Sequence, residues 1–205
     1  MTHKSTFWMW AWLCGGWCLS ITALHAQATR QLPLTLSVYS VNTQLPGGRL
    51  TPVHPGLQAG TEFRYNRSEK NQWFQTAKLG VYYHKYSQTG IQLYSEGGYR
   101  RAIWKGLSAE FRLGVGYLHA ITDLQMFELK DGQYERKRTI GRAQVMGSTA
   151  LGLGYRLGES MDAPRVFIDY QFFLQMPFVK NYVPLLPNTA LHLGVAFPFF
   201  NTGKK

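Results

Sequence analysis

The chain has 205 residues, 45% hydrophobic and 15% aromatic, with 22 Lys and Arg against 11 Asp and Glu, a formal net charge of +11. Both cysteines, Cys14 and Cys18, fall in the first apolar stretch, which excludes a disulfide scaffold or a thiolate metal site in the rest of the chain. The basic excess first raises nucleic acid; the export signal that opens the chain sets this aside and turns the charge toward anionic lipid headgroups or a polyanionic surface.

That signal begins with Lys4, continues through "FWMWAWLCGGWCLSITAL" and ends in "HAQA", where Ala26-Gln27-Ala28 fits the small-x-small rule of a cleavage site. Residues 1–28 read as a signal peptide cut near Ala28, with Ala26 a competing position. A membrane anchor is the alternative, but the run lies near the lower limit for a spanning helix and lacks a basic stop-transfer flank. Both cysteines are followed by more of the apolar run, so neither marks a lipidated start. Residues 29–205 then form one domain. Losing Lys4 takes the net charge from +11 to +10. No later apolar run reaches helix-spanning length, so any crossing must be made by strands.

From Leu32 onward the hydrophobic pattern has a period of two. Four segments come first: "LPLTLSVYSV" from Leu32, "LQAGTEFRYN" from Leu57, "WFQTAKLGVYYHKY" from Trp73 and "GIQLYSEGGYRRAI" from Gly90. In "LSAEFRLGVGY", Leu107, Ala109, Phe111, Leu113, Val115 and Tyr117 oppose Ser108, Glu110, Arg112, Gly114 and Gly116. "VMGSTALGLGYRL" from Val145, "RVFIDYQFFLQMPF" from Arg165 and "NTALHLGVAFPFF" from Asn188 repeat the pattern, each with one greasy face and one small or polar face. Strands of roughly ten or more residues suit a tilted bilayer crossing, whereas soluble strands are nearer five or six.

The connections alternate between two sides. "RSEKNQ", "WKG" and "GESMDAP" are short; on the other side lie Asn42–Pro55, the tight "SQT", a long loop from about Thr122 to Gly141, and "VKNYVPLLP". Short periplasmic turns and longer external loops are the asymmetry of an outer-membrane barrel. The expected fold is therefore all-β: an eight-stranded antiparallel up-and-down transmembrane β-barrel behind a cleaved signal peptide. A soluble lipocalin-like carrier would alternate too, with its apolar face inward; the continuous Leu, Val, Phe and Tyr face opposite a face of Gly and mixed charge favours the membrane.

The segments "HPGLQAGTEF" (His54–Phe63), "LYSEGGYRR" (Leu93–Arg101), "LGVGYLHA" (Leu113–Ala120), "YQFFLQMPF" (Tyr170–Phe178) and the terminal "LPNTALHLGVAFPF" resemble the small outer-membrane β-barrel proteins of the OmpA/OmpX-like eight-stranded class. They are closer still to the uncharacterised barrels of Bacteroidota-type bacteria. The resemblance implies insertion in the outer membrane of a Gram-negative bacterium, with lipid, lipopolysaccharide and the barrel assembly machinery as partners. Such barrels usually end on an aromatic residue, whereas here "NTGKK" follows Phe200.

Neither glycine-rich stretch has the third glycine of a nucleotide loop: His119 stands in that place after Gly114 and Gly116, and Leu157 after Gly152 and Gly154. On the inner parity lie Glu62, Arg64, Lys78, Glu96, Arg100, Glu110, Arg112, Arg156, Asp169 and His192, which should pair across strands because isolated buried charges are costly. A salt-bridged plug is favoured over a narrow channel or small-solute carrier, since an eight-stranded interior is barely wide enough for its own side chains.

His119 is the only lead to catalysis. Outer-membrane lipid A deacylases pair a lipid-facing histidine with a serine two places later; here Ile121 stands there, and no nucleophile or orienting acid can be assigned. A lipid A-modifying hydrolase is thus the alternative to a structural or surface-interaction role. In the loop "TDLQMFELKDGQYERKRTIG", a hairpin turning at Asp131-Gly132, Lys130, Arg136, Lys137 and Arg138 are the candidates to hold lipopolysaccharide phosphates, a polyanion or an extracellular protein. Trp73, Tyr82, Tyr83, Tyr86, Tyr94, Tyr99, Trp104, Tyr117, Tyr155 and Tyr170 read as girdle or sheet-packing residues. No cofactor and no metal are expected.

Overall fold

The computed structural model describes residues 32–49, 51–66, 68–85, 87–123, 126–130, 132–137, 140–160, 163–178 and 184–198. Residues 1–28, expected from the sequence to be a signal peptide, and the tail from Phe199 lie outside them. The strands are β1 (Pro33–Asn42), β2 (Pro55–Arg64), β3 (Asn71–His84), β4 (Gln88–Trp104), β5 (Leu107–Thr122), β6 (Met126–Lys130), β7 (Gln133–Lys137), β8 (Arg142–Arg156), β9 (Arg165–Met176) and β10 (Leu186–Pro198).

Eight of them close an antiparallel barrel in the order β1-β10-β9-β8-β5-β4-β3-β2, while β6 and β7 form a separate hairpin in the β5–β8 connection. Closure leaves no unpaired edge, because β1 pairs with both β2 and β10. The period-two pattern therefore yields the expected eight-stranded barrel. β5 runs five residues beyond Tyr117 because both neighbours extend with it: Gln88 pairs with Thr122, and Arg142 with Ala120. At one end the turns are short, and Lys105 and Gly106 make the β4–β5 reversal with positive φ of 31° and 89°. The opposite end carries the longer loops and the hairpin.

The faces are sorted as a bilayer requires. Leu57, Leu79, Leu93, Leu113, Leu151 and Leu193 point outward and stay exposed, as does Val115 at 69%. Trp73, stacked obliquely on Tyr99 at 4.9 Å, and Tyr155 stand outward near the short-turn end; Tyr83 and Tyr117 stand near the long-loop end. This arrangement excludes the soluble alternative, which would bury these leucines and expose the charges. Tyr82 and Tyr94 instead point inward and are buried.

Glycine on the inner face makes room for these large neighbours. A Cβ on Gly116 would meet Tyr94 Cβ at 2.2 Å, and one on Gly98 would meet the Phe74 ring at 2.6 Å. "LGVGYLHA" is thus half of a spanning strand: Leu113, Val115 and Tyr117 face outward, while its glycines clear the lumen.

Candidate functional site

Inward parity on five strands gathers the predicted charges into one cluster toward the short-turn end. Glu62 and Arg64 end β2's inward row; the Glu62 carboxylate accepts from Arg100 Nη2 at 2.5 Å and Nη1 at 2.8 Å, from Arg64 Nε at 3.2 Å and from Arg165 Nη2 at 3.3 Å. Arg100 continues through Nε to Glu110 at 2.6 Å. Arg112 then bridges three acids: Glu110 at 2.8 Å, Glu96 at 3.2 Å and Asp169 at 2.6 Å. Lys78 closes the series on Glu96 at 2.8 Å.

Glu62, Glu96 and Glu110 are each held by two or more bases, which is what makes burial of ionised groups tolerable, whereas Asp169 takes Arg112 through Oδ2 and its Oδ1 is buried without a hydrogen bond among the described residues. Glu96, fully buried, also accepts from Ser148 Oγ and Gln171 Nε2, each at 3.0 Å. Phe74 flanks the cluster, with the Arg100 guanidinium 4.5 Å from its ring centre.

Two predicted members stand apart. His192 is buried but not ion-paired: its ring stacks on Tyr39 at 4.5 Å, and its Nε2 lies 3.2 Å from Gln171 Oε1. Arg156 is half-buried at the short-turn end, and among the described residues it pairs with none of the cluster's acids. Arg165 was absent from the predicted set, yet it contacts both Glu62 and Glu110. Its inward parity beside Asp169 on β9 was the available signal.

Toward the long-loop end the filling changes. Val41, Tyr82, Leu118, Met146 and Phe173 form an apolar layer, joined by Tyr39 and Tyr94. Tyr94 accepts from Gln58 Nε2 at 2.6 Å, and Tyr39 donates to Gln92 Oε1 at 3.1 Å. Above this layer, Gln175 Nε2 donates to Gln144 Oε1 at 2.6 Å and to Gln88 Oε1 at 3.1 Å, while Gln88 Nε2 donates to Tyr82 at 2.8 Å. The sequence reading missed this amide layer, because Gln on an inward parity looks like any polar residue.

His119 points outward on β5. Its Nε2 lies 3.0 Å from the Ile140 carbonyl and its Nδ1 2.8 Å from the Tyr117 hydroxyl. A carbonyl only accepts, so Nε2 carries the proton and Nδ1 accepts from Tyr117. Neither partner is a serine nucleophile or an orienting carboxylate. Among the described residues, no three His, Cys, Asp or Glu side chains come together as metal ligands. Lys130 lies in β6 and Arg136 and Lys137 in β7, on a hairpin whose turn holds Gly132 at φ +80°; Arg138 falls outside the described residues.

Comparison with solved structures rests on this architecture. The crystal structure of Neisserial surface protein A matches with a TM-score of 0.54 at 11% identity, covering 84% of this chain and 100% of that one. The fold is that of the small outer-membrane barrels. The outer membrane enzyme PagL (TM-score 0.48, 10% identity, 82% and 99% covered) and Ail, the attachment invasion locus protein of Yersinia pestis (0.47, 14%, 82% and 97%), are also similar. No protein-family model and no curated protein matches the chain.

Proposed function

We propose that this protein is a non-catalytic barrel of a Gram-negative outer membrane, with a closed lumen and interactions made through its external loops. In this reading residues 1–28 direct export and are removed near Ala28, and residues 29–205 fold in the membrane with the short turns toward the periplasm. The observation that carries it is the filled interior, with charge at one end and rings and amides at the other. A barrel with no open lumen has only its lipid-facing wall and loops left for function. Lys130, Arg136, Lys137 and Arg138 in the β5–β8 connection would meet lipopolysaccharide phosphates or another polyanion. Hydrolase chemistry finds no support in the hydrogen bonds of His119, which lead to Tyr117 and a backbone carbonyl.

The refolded barrel in planar bilayers is expected to show no stepwise conductance and to bind a sulfated polysaccharide, with binding lost on fourfold alanine replacement of the basic loop residues. Stepwise currents from the wild type would overturn the closed lumen. Binding that survives the fourfold replacement would remove the hairpin's role.

A further inference from the structure

The β1–β2 loop, described at residues 43–49 and 51–54, is fastened at both ends. At its start Thr43 Oγ1 donates to Asn188 Oδ1 at 2.9 Å, and Gln44 Nε2 donates to Thr189 Oγ1 at 3.1 Å. Further along, the Gly47 N–H donates to the Tyr170 hydroxyl at 3.2 Å. The loop thus lies against β9 and β10, which accounts for Thr189 being buried between the inward-facing Asn188 and Ala190 on a strand that otherwise alternates.

At its far end His54 is buried. Its backbone N–H donates to Ser40 Oγ at 3.1 Å, and its Nδ1 lies 2.9 Å from the Val41 carbonyl and 3.2 Å from Asn42 Oδ1. Both ring contacts are acceptors, so Nδ1 carries the proton of the neutral ring. The ring lies flat on His84, the last residue of β3, with centroids 3.6 Å apart and planes 11° from parallel. His84 Nδ1 in turn sits 3.3 Å from the Lys85 carbonyl, again a donor position.

We propose that His54 and His84 form an acid-released clasp, which holds the β1–β2 loop on the external mouth while the rings are neutral and frees it when both are protonated. Two neutral imidazoles stack without penalty, whereas two imidazolium rings in face contact repel, in a site that is partly closed to water. β1 contributes Ser40, Val41 and Asn42, none of them charged. From β3 and the β3–β4 turn come Tyr82, bound by Gln88, and the cationic Lys85; at the β5 end Asp123 accepts from Tyr83 at 3.1 Å. His84 is the last residue of β3, one place past Tyr83. Parting the rings relieves the repulsion between them, so protonation favours the open loop. The clasp is therefore intact above about pH 6.5, the ordinary imidazole value, and weakens as pH falls below it. Release would uncover Asn188, Thr189 and the Tyr170 hydroxyl.

The test is hydrogen–deuterium exchange of the loop in the full barrel, reconstituted in lipid vesicles, at pH 7.5 and 5.5 with intrinsic rates divided out. Loop amides of the wild type are expected to exchange at least fivefold faster at pH 5.5 while the barrel strands stay unchanged, and His84→Gln should remove the difference. Equal protection of the wild-type loop at both pH values would overturn the clasp. So would acid loosening that persists in His84→Gln or, should that variant fail to fold, in His54→Gln.

Discussion

Around and below Glu96, toward the short turns, the lumen is packed with charge; above Tyr94, toward the loops, it is packed with rings, aliphatic groups and amides. Both fillings close the same barrel, but they respond to different properties of a side chain. In the lower half five bases (Arg64, Lys78, Arg100, Arg112 and Arg165) share four acids (Glu62, Glu96, Glu110 and Asp169), so the sign and position of each charge matter more than its volume. In the upper half volume matters, because dispersion and apolar burial do the holding.

The sharpest way to break this contrast is a substitution that keeps volume and removes charge. Glu96→Gln leaves Lys78 and Arg112 buried with one fewer anion, and the cluster with two excess positive charges. It is expected to cost about 3–5 kcal/mol, the usual result of stranding a buried charge. Lys78→Met should cost under about 1 kcal/mol, because Lys78 has one acid partner and its loss brings the cluster to neutrality. Urea titration of the folded, heat-shiftable band in vesicles reads both, and equal costs would show that the cluster does not act as a charge-balanced unit.

In the upper half the order should invert, so that volume is felt and conservative repacking is not. Met146 is fully buried within the apolar layer. Met146→Ala is expected to cost about 2–3 kcal/mol through the cavity it leaves, and Met146→Leu under about 1.5 kcal/mol. If Met146→Leu proved as damaging as Glu96→Gln, the two halves would not differ in kind.

The legibility of the sequence follows the same division. Period two placed Glu62, Glu96, Glu110, Arg112 and Asp169 on one face because a strand has only two faces, and their charge then made pairing an energetic requirement. Parity does not specify which bases meet which acids. Arg165, first residue of β9, has the inward parity, but only barrel closure carries it across to Glu62. Arg156 has the same parity and stands directly opposite Arg165 across β8 and β9, yet among the described residues only Arg165 of the two reaches the acids. The His54–His84 stack was equally invisible, because it depends on where a loop folds back.

Glycine gives the smallest effects and the finest test of inside against outside. Gly98 and Gly147 both sit in barrel strands, but a Cβ on Gly98 would strike Phe74 and Arg112 within 2.9 Å, whereas one on Gly147 would meet nothing within 4 Å. Gly98→Ala must displace a ring held between the wall and Arg100, and should cost about 1–3 kcal/mol. Gly147→Ala adds a methyl to the lipid-facing wall and restricts the unfolded chain, so it should be neutral or stabilise by up to about 1 kcal/mol. A cost at Gly147 approaching that at Gly98 would mean that something other than lipid, a neighbouring molecule in the membrane, needs close approach to that wall.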